Sequence, residues 1–129
     1  MTIAEVLARA RARIVRYAPE EVASAQERGA VLVDTRDSAD RAGEGVIPGS
    51  LWFPRNLLEW RADAAAEGAD QRIADTALEI IVVCNDGYSS SLAAASLRDL
   101  GFARAGDIVG GYRGWRAAGL PTEPVDQAS

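Results

Sequence analysis

Cys84, the chain's single cysteine, is the residue whose type and position best suit chemistry. It follows a β-branched run at residues 80–83, which is typical of a strand buried on both faces, and it precedes apolar residues at helical spacing from Leu92 to Leu100. This pattern predicts a strand, a turn and a helix, with the thiol in the turn. Amide N–H groups at the beginning of a helix, and the positive end of its dipole, favour an anion there. We therefore expect Cys84 to be biased toward the thiolate, which is the nucleophilic form of cysteine.

The residue composition limits how such a thiol can be activated. The sequence has no histidine, which excludes Cys–His and Ser–His–Asp machinery and every histidine-containing metal site. A single cysteine excludes an internal disulfide, a Cys-x-x-Cys pair and a thiolate metal cluster, so we expect no metal and no cofactor. Activation must then come from amides, a helix dipole or arginine. The lone cysteine also favours a reducing compartment, and we predict the cytoplasm.

Length and charge restrict the domain count and the class of partner. The 129 residues fit one domain. A net charge of −5 argues against nucleic acid or an anionic membrane as the main partner. No apolar run approaches the length of a membrane span, and no secretory signal pattern is evident. The 14 basic residues are all arginine, which together with abundant alanine suggests a GC-rich bacterial source.

The first part of the chain has the pattern of an amphipathic helix with arginines on its solvated face. Apolar residues recur at helical spacing there, namely Ile3, Val6, Leu7, Ala10 and Ile14. We predict an N-terminal amphipathic helix at residues 1–13, one domain at 14–121 and a polar, frayed tail at 122–129.

Within the predicted domain, strand patterns alternate with helix patterns. Strands are predicted at residues 14–17, 31–33, 51–53, 80–83 and 105–109, a turn cluster at 43–50, a helix over 55–66, and loop with a short helix over 64–74. Further helices are predicted from Pro19, after Cys84 and around Tyr112. This alternation indicates an α/β fold with an open, mostly parallel sheet of about five strands and helices on both faces. The Cys84 turn would lie at the carboxyl edge of that sheet, where such folds place their sites.

Four motifs, in order along residues 14–121, together resemble the rhodanese family of sulfurtransferases. The motifs are Asp34-Thr35-Arg36 at a strand end, Ile47-Pro48-Gly49-Ser50, the loop Cys84-Asn85-Asp86-Gly87-Tyr88-Ser89-Ser90, and Gly110-Gly111-Tyr112-Arg113-Gly114-Trp115. The cysteine loop alone would be a weak signal, but four ordered motifs around one cysteine make chance similarity improbable.

The resemblance implies a single-domain, rhodanese-like sulfurtransferase that carries a sulfane sulfur as a persulfide on Cys84. The donor would be a small sulfur compound such as thiosulfate, or a persulfide protein, and the acceptor a thiophile; nucleic acid, membrane and cofactors have no part. The substrate-binding loop implied by the resemblance consists of Asn85, Asp86, Gly87, Tyr88, Ser89 and Ser90. We expect Asp34 and Arg36 to support this loop, with Asp34 anchoring it through hydrogen bonds. Arg55 and Arg113 are candidates for sensing an anion at the pocket.

The loop sequence favours one alternative function and argues against another. Asp86 places an acid there and Ser89 stands where many members have arginine, so a non-catalytic rhodanese-like binding module is the alternative. A phosphatase on the same architecture would need an arginine six residues after Cys84, where this chain has Ser90.

Overall fold

A computed structural model describes residues 1–125 of the chain. The strands are β1 (Val15–Tyr17), β2 (Val31–Asp34), β3 (Leu51–Trp52), β4 (Ile80–Val83) and β5 (Gly106–Ile108). The helices are α1 (Ile3–Arg11), α2 (Pro19–Glu27), α3 (Ser38–Glu44), α4 (Leu58–Ala62), α5 (Ser89–Asp99) and α6 (Gly111–Ala117).

The five strands form one parallel sheet in the order β1-β5-β4-β2-β3. All four residues of the central strand β4 are buried, as the β-branched run predicts. In the register between β2 and β4, Asp34 lies opposite Val83, so the residues that follow both strands emerge side by side at the carboxyl edge. The predicted parallel α/β sheet with Cys84 at that edge is confirmed.

Two hydrophobic cores pack against the two faces of the sheet, which confirms helices on both faces. Ile80 and Val82 contribute to a core with residues of α4 and α5. Ile81 and Val83 contribute to the opposite core with residues of α2 and α6. Burying an aliphatic side chain of this size stabilises a fold by about 1.5–3 kcal/mol. Packing on both faces therefore holds β4, the strand that leads to Cys84, in a fixed position.

Helix α1 is shorter than the apolar pattern predicts, and most of its apolar residues are exposed. It ends at Arg11, and Ile14 lies beyond it, packed against the core of α4 and α5. Only Ala10 of the helix is buried, whereas Ile3 is 72% exposed. The packing of α1 against α5 therefore buries little of the hydrophobic surface of α1.

Between residues 37 and 74 the structure differs from the sequence prediction at three places. Helix α3 was not predicted. It begins after Asp37, whose side chain accepts the Asp40 amide, and it continues to Glu44, so the turn cluster begins later than predicted. Helix α4 covers a smaller part of the predicted span. The predicted short helix over 64–74 is absent from the described structure, since Asp63 and Asp70 accept the amides two residues later and make turns instead.

The first part of the predicted tail is ordered. Glu123 pairs with Val46 in an antiparallel bridge, with N···O distances of 2.8 and 3.0 Å. Trp115 Nε1 also donates to Pro121 O at 2.8 Å. The prediction of a frayed tail is therefore wrong at Glu123, and its remaining part, residues 126–129, lies outside the described residues. None of the described helices is long and apolar enough to cross a membrane.

Candidate active site

A cavity of about 240 Å³ opens at the carboxyl edge of the sheet, where β2 and β4 end. Its lining residues are Thr35, Arg36, Cys84, Asn85, Asp86, Tyr88 and Ser89. The parallel register of β2 and β4 brings the loops that follow these two strands together, although they are some fifty residues apart in the sequence. The structure thus gathers most of the loop that was predicted around Cys84 at one concave site.

The Cys84 sulfur lies inside a cradle of donors made by its own loop. The amides of Gly87 and Ser90 donate to Sγ at 3.2 and 3.4 Å. The thiol S–H donates to Ser90 Oγ at 3.2 Å. Because Ser90 belongs to the first turn of α5, the positive end of that helix faces the sulfur. An anionic sulfur at this point needs no histidine beside it.

The environment of Cys84 favours its ionised form. Burial of the thiol opposes ionisation, but hydrogen bonds from the Ser90 and Ser89 side chains and from the Ser90 and Gly87 amides outweigh it and lower the pKa of Cys84. The folded protein should therefore reach its thiolate at lower pH than the unfolded chain does.

We expect the alkylation rate of Cys84 by iodoacetamide to rise with pH to a plateau. The midpoint of this rise should lie below the pKa of about 8.5 of free cysteine. The direction follows because the thiolate is the reacting species and the cradle donates to it. Rates measured from pH 5 to 10, with urea-unfolded protein as the reference, give both midpoints. Equal midpoints in the two states would contradict the donor cradle.

Two glycine-rich segments hold the cradle in shape. Gly87 has φ +84°, a left-handed conformation, and a Cβ there would lie 2.9 Å from Gly110 N and 3.0 Å from Ile108 O. From the other side, Tyr112 N donates to Cys84 O at 2.8 Å and Arg113 N donates to Asn85 O at 3.0 Å. The beginning of α6 therefore clamps the Cys84 loop by backbone contacts.

A buried carboxylate, Asp107 of β5, lies behind the sulfur. It accepts hydrogen bonds from Ser90 Oγ at 2.8 Å and Ser91 Oγ at 2.7 Å, and it pairs with Arg16 Nε at 2.9 Å. Its side chain is 0% exposed. Since Ser90 has one hydroxyl proton, it can donate either to Asp107 or to Cys84 at a given moment. Asp107 therefore competes with the cysteine sulfur for that proton.

Two arginines from the N-terminal region also reach the loop. Arg11 Nη2 and Arg16 Nη2 donate to Gly87 O at 2.8 and 3.1 Å. Sequence reasoning missed these arginines and Asp107. An acid inside a predicted buried strand was the available signal for Asp107, because buried carboxylates are almost always paired.

The Asp34-x-Arg36 motif forms a buried ion pair next to the cavity. Asp34 Oδ1 accepts the Arg36 amide at 3.0 Å, and Arg36 Nη2 donates to Asp34 Oδ2 and to Gly45 O, each at 2.8 Å. Both side chains are almost completely buried. Asp34 therefore holds its own loop through hydrogen bonds, and the Arg36 guanidinium holds Asp34.

The two arginines proposed to sense an anion do not line the cavity. Arg55 pairs with Glu59, four residues further along the chain, at 2.7 Å. Arg113 pairs with Glu44 and with Asp86, each at 2.9 Å, and these carboxylates raise its pKa further above its ordinary value. Each guanidinium is already committed to carboxylates, so the structure does not bring these two residues to the cavity as the sequence led us to expect. The same contact pairs the Asp86 acid with a cation.

Comparison with known proteins assigns this fold and loop to a family. The model of the rhodanese-like domain matches residues 18–118. The chain belongs to the rhodanese-like family. The motifs that suggested the resemblance lie inside the matched region, whereas α1 lies outside it.

Rhodanese-like relatives cover most of the chain. It is 37% identical over 110 residues to the thiosulfate sulfurtransferase GlpE of Pseudomonas savastanoi pv. phaseolicola, covering 85% of this chain and 93% of that protein. It is 31% identical over 91 residues to a sulfurtransferase of Allochromatium vinosum, covering 70% of this chain and 76% of that protein. A Rhodopseudomonas palustris structure described as a protein of unknown function and possible tyrosine phosphatase has a TM-score of 0.88 and 29% identity, covering 95% of each chain.

Proposed function

We propose that this rhodanese-like protein is a sulfurtransferase that moves a sulfane sulfur from thiosulfate to a thiophilic acceptor through a persulfide on Cys84. The observation that carries this function is the donor cradle, in which the Gly87 and Ser90 amides lie 3.2 and 3.4 Å from Sγ at the floor of a cavity. The relatives named as sulfurtransferases, one of them a thiosulfate sulfurtransferase, support the same chemistry.

The transfer has two steps, each a displacement at sulfur. The Cys84 thiolate attacks the outer sulfur of thiosulfate, a new S–S bond forms, and sulfite leaves with the electron pair of the broken S–S bond. A thiophile such as cyanide or a thiolate then attacks the outer sulfur of the persulfide, and the Cys84 thiolate is regenerated. Neither step requires a general base once the thiol is ionised, so the absence of histidine is no obstacle.

Intact-mass measurement after incubation with thiosulfate tests this function. We expect a gain of one sulfur atom that cyanide removes, with thiocyanate as the product. In Cys84→Ser, which leaves a hydroxyl of similar size, the gain should disappear. Failure to form any adduct with thiosulfate or other sulfane donors would contradict the enzyme function and favour the binding module.

A phosphatase activity conflicts with the observed site. Among the residues that line this cavity only Arg36 has a guanidinium. Its Nε and Nη2 are bound to Asp34 and Gly45 O, and only its Nη1 has no hydrogen-bond partner among the described residues, so a single atom of this side chain is left to donate to a phosphate. Phosphoryl transfer needs cationic donors directed at the phosphate oxygens. Hydrolysis of an aryl phosphate that is lost in Cys84→Ser would overturn this assignment.

The cellular setting is proposed on chemical grounds. A thiol that cycles through a persulfide must be kept from disulfide formation, which favours the cytoplasm. The named relatives are bacterial, which supports a bacterial source. A persulfide-carrying protein could replace thiosulfate as donor, or act as acceptor, because the cavity is open to solvent.

We expect Ser89→Arg to lower the KM for thiosulfate roughly twofold to fivefold, the range expected for an exposed ion pair. Ser89 is an exposed residue of the cavity wall, so a cation there attracts the dianion before and during transfer, and kcat should change less than KM. Steady-state kinetics at low and high salt measure this, since screening should reduce the gain.

Ser89→Gln is the matched control, because it adds length without charge. Asp86→Asn should have a smaller effect, since the Asp86 carboxylate is already neutralised by Arg113 at 2.9 Å. Unchanged KM values in Ser89→Arg at both salt concentrations would mean that charge at the rim does not control donor binding.

A further inference from the structure

Arg11 of helix α1 reaches the cysteine loop from outside the region that matches the family. Its Nη2 donates to Gly87 O at 2.8 Å, and its Nε donates to Ser91 Oγ at 3.2 Å. The guanidinium also lies 5.4 Å from the centre of the Tyr88 ring. The rhodanese-like match covers residues 18–118, so this arginine comes from a segment that the family model does not include.

The charges behind the loop are not balanced. Arg16 Nη2 donates to Gly87 O as well, at 3.1 Å, and Arg16 pairs with the buried carboxylate of Asp107. Arg11 has no carboxylate partner among the residues that the structure describes. Two guanidinium groups and one carboxylate therefore leave a positive charge against the Gly87 carbonyl.

The other charged groups near the loop lie on α3, on α6, in the loop itself and where β2 ends, and most of them are paired with one another. The pairs are Asp86–Arg113, Asp34–Arg36 and Asp34–Arg41. Asp40 contacts the loop by accepting a hydrogen bond from Asn85 Nδ2 at 2.9 Å. Arg11 thus adds a cation to a loop whose other arginines are committed to carboxylates.

Arg11 also determines which way the Ser91 hydroxyl points. Ser91 Oγ lies 2.7 Å from Asp107 Oδ2 and 3.4 Å from Gly87 O, so its one proton can go to either oxygen. Arg11 and Arg16 occupy the two lone pairs of Gly87 O. The Ser91 proton is therefore directed to Asp107.

The effect reaches Cys84 through Ser90. The hydroxyls of Ser90 and Ser91 both donate to Asp107 Oδ2, at 2.8 and 2.7 Å. Because Ser91 and Arg16 also donate to this oxygen, it keeps two donors when the Ser90 proton turns away. The Ser90 hydroxyl is then free to donate to the Cys84 sulfur, 3.2 Å from its Oγ, and a hydrogen bond to the charged form favours ionisation.

We propose, on the basis of the sulfur transfer described above, that Arg11 is a positioning residue that stabilises the anionic sulfur of Cys84. It acts by two routes: it directs the Ser91 proton to Asp107, and it adds positive charge at the Gly87 carbonyl. Both the thiolate that attacks the donor and the persulfide anion that remains when sulfite leaves are stabilised in this way. Arg11 does not line the Cys84 cavity, so it acts through the loop and not on the substrate.

Alkylation of Cys84 by iodoacetamide tests this role in the full-length protein without any sulfur donor. We expect Arg11→Gln, which keeps good helix propensity, to raise the midpoint of the pH profile by roughly 0.5 pH unit, the size of a partly exposed charge interaction. Below both midpoints the rate should fall about threefold, because the thiolate fraction falls by that factor, and above them it should recover. Loss of α1 packing alone would lower the free energy of unfolding and leave the midpoint in place.

Arg9→Gln is the matched control, because Arg9 is an exposed residue of the same helix and its replacement removes the same charge. Its midpoint should equal that of the wild type. Ser91→Ala tests the proton route and should also raise the midpoint. Arg11→Gln added to Ser91→Ala should raise it by less than Arg11→Gln does alone, because the two changes share one route.

An unchanged midpoint in Arg11→Gln would overturn the proposal, as would an equal rise in Arg9→Gln. A Ser91→Ala profile identical to that of the wild type, or fully additive shifts in the double variant, would contradict the proton route. Failure of the sulfur transfer has a separate signature, since wild-type protein would then gain no mass with thiosulfate while the effect of Arg11→Gln on the thiol persisted.

Discussion

Replacing Gly87 by alanine should lower sulfurtransferase activity at least about 100-fold, the effect of losing one well-placed donor to a reacting anion. The residue has φ +84°, and an added Cβ would lie 2.9 Å from Gly110 N, 3.0 Å from Gly111 N and 3.0 Å from Ile108 O. All three are backbone atoms and cannot rotate away as a side chain does. The loop must therefore shift, and the Gly87 amide that lies 3.2 Å from Cys84 Sγ moves with it.

The loss of this donor should also appear in the ionisation of the thiol. Without the Gly87 amide the thiolate is less stabilised, so the pKa of Cys84 should rise toward its ordinary value. The alkylation profile and the rate of persulfide formation measured on the same preparation test both effects.

Gly29→Ala is the matched control for Gly87→Ala. Gly29 has a similar left-handed φ of +99°, but nothing lies within 4 Å of the position of an added Cβ. Both variants therefore suffer the backbone strain of about 1–2 kcal/mol, and only Gly87→Ala also deforms the site. Activity near the wild-type level in Gly87→Ala would show that its amide is not needed for the transfer.

The parts of the fold predicted from sequence are those encoded within single segments. The run at residues 80–83 determines a strand buried on both faces, and the polar turn with the helix after it determines the position of Cys84. Alternation of strands and helices then gives a parallel sheet and places the loop after β2 beside it. These inferences need no knowledge of which side chains meet in the folded chain.

The parts that sequence reasoning missed depend on contacts between distant segments. Asp107 meets Arg16 because β1 and β5 are neighbours in the sheet, a pairing across ninety residues that no local pattern reveals. Arg113 was proposed to sense an anion, but the fold places it between Glu44 and Asp86. Charged residues that stand alone in the sequence pair with one another in the folded chain. The fold, and not the local sequence, therefore determines what each of them does.

Replacing Asp107 by alanine should lower the free energy of unfolding by about 3–5 kcal/mol, the range for removing one partner of a buried ion pair. Four donor atoms converge on the Asp107 carboxylate: Arg16 Nε, Arg16 Nη2, Ser90 Oγ and Ser91 Oγ. Without it, the Arg16 side chain, which is only 22% exposed, remains charged and poorly solvated. Urea unfolding measures the loss, and Asp99→Ala is the matched control, since Asp99 pairs with Arg13 on the surface and should cost less than about 1 kcal/mol.

The same substitution should move the Cys84 pKa in the opposite direction to Gly87→Ala. Asp107 accepts a hydrogen bond from the Ser90 hydroxyl, with Oγ 2.8 Å from the carboxylate oxygen, and its negative charge lies behind the Cys84 sulfur, which becomes negative when the thiol ionises. Once the carboxylate is removed, Ser90 can donate to the thiolate and the repulsion between like charges ends, so the pKa of Cys84 should fall further. A less stable protein with a more acidic thiol is thus the expected result of Asp107→Ala. An unchanged or higher alkylation midpoint would show that Asp107 supports the fold without controlling the charge on the sulfur.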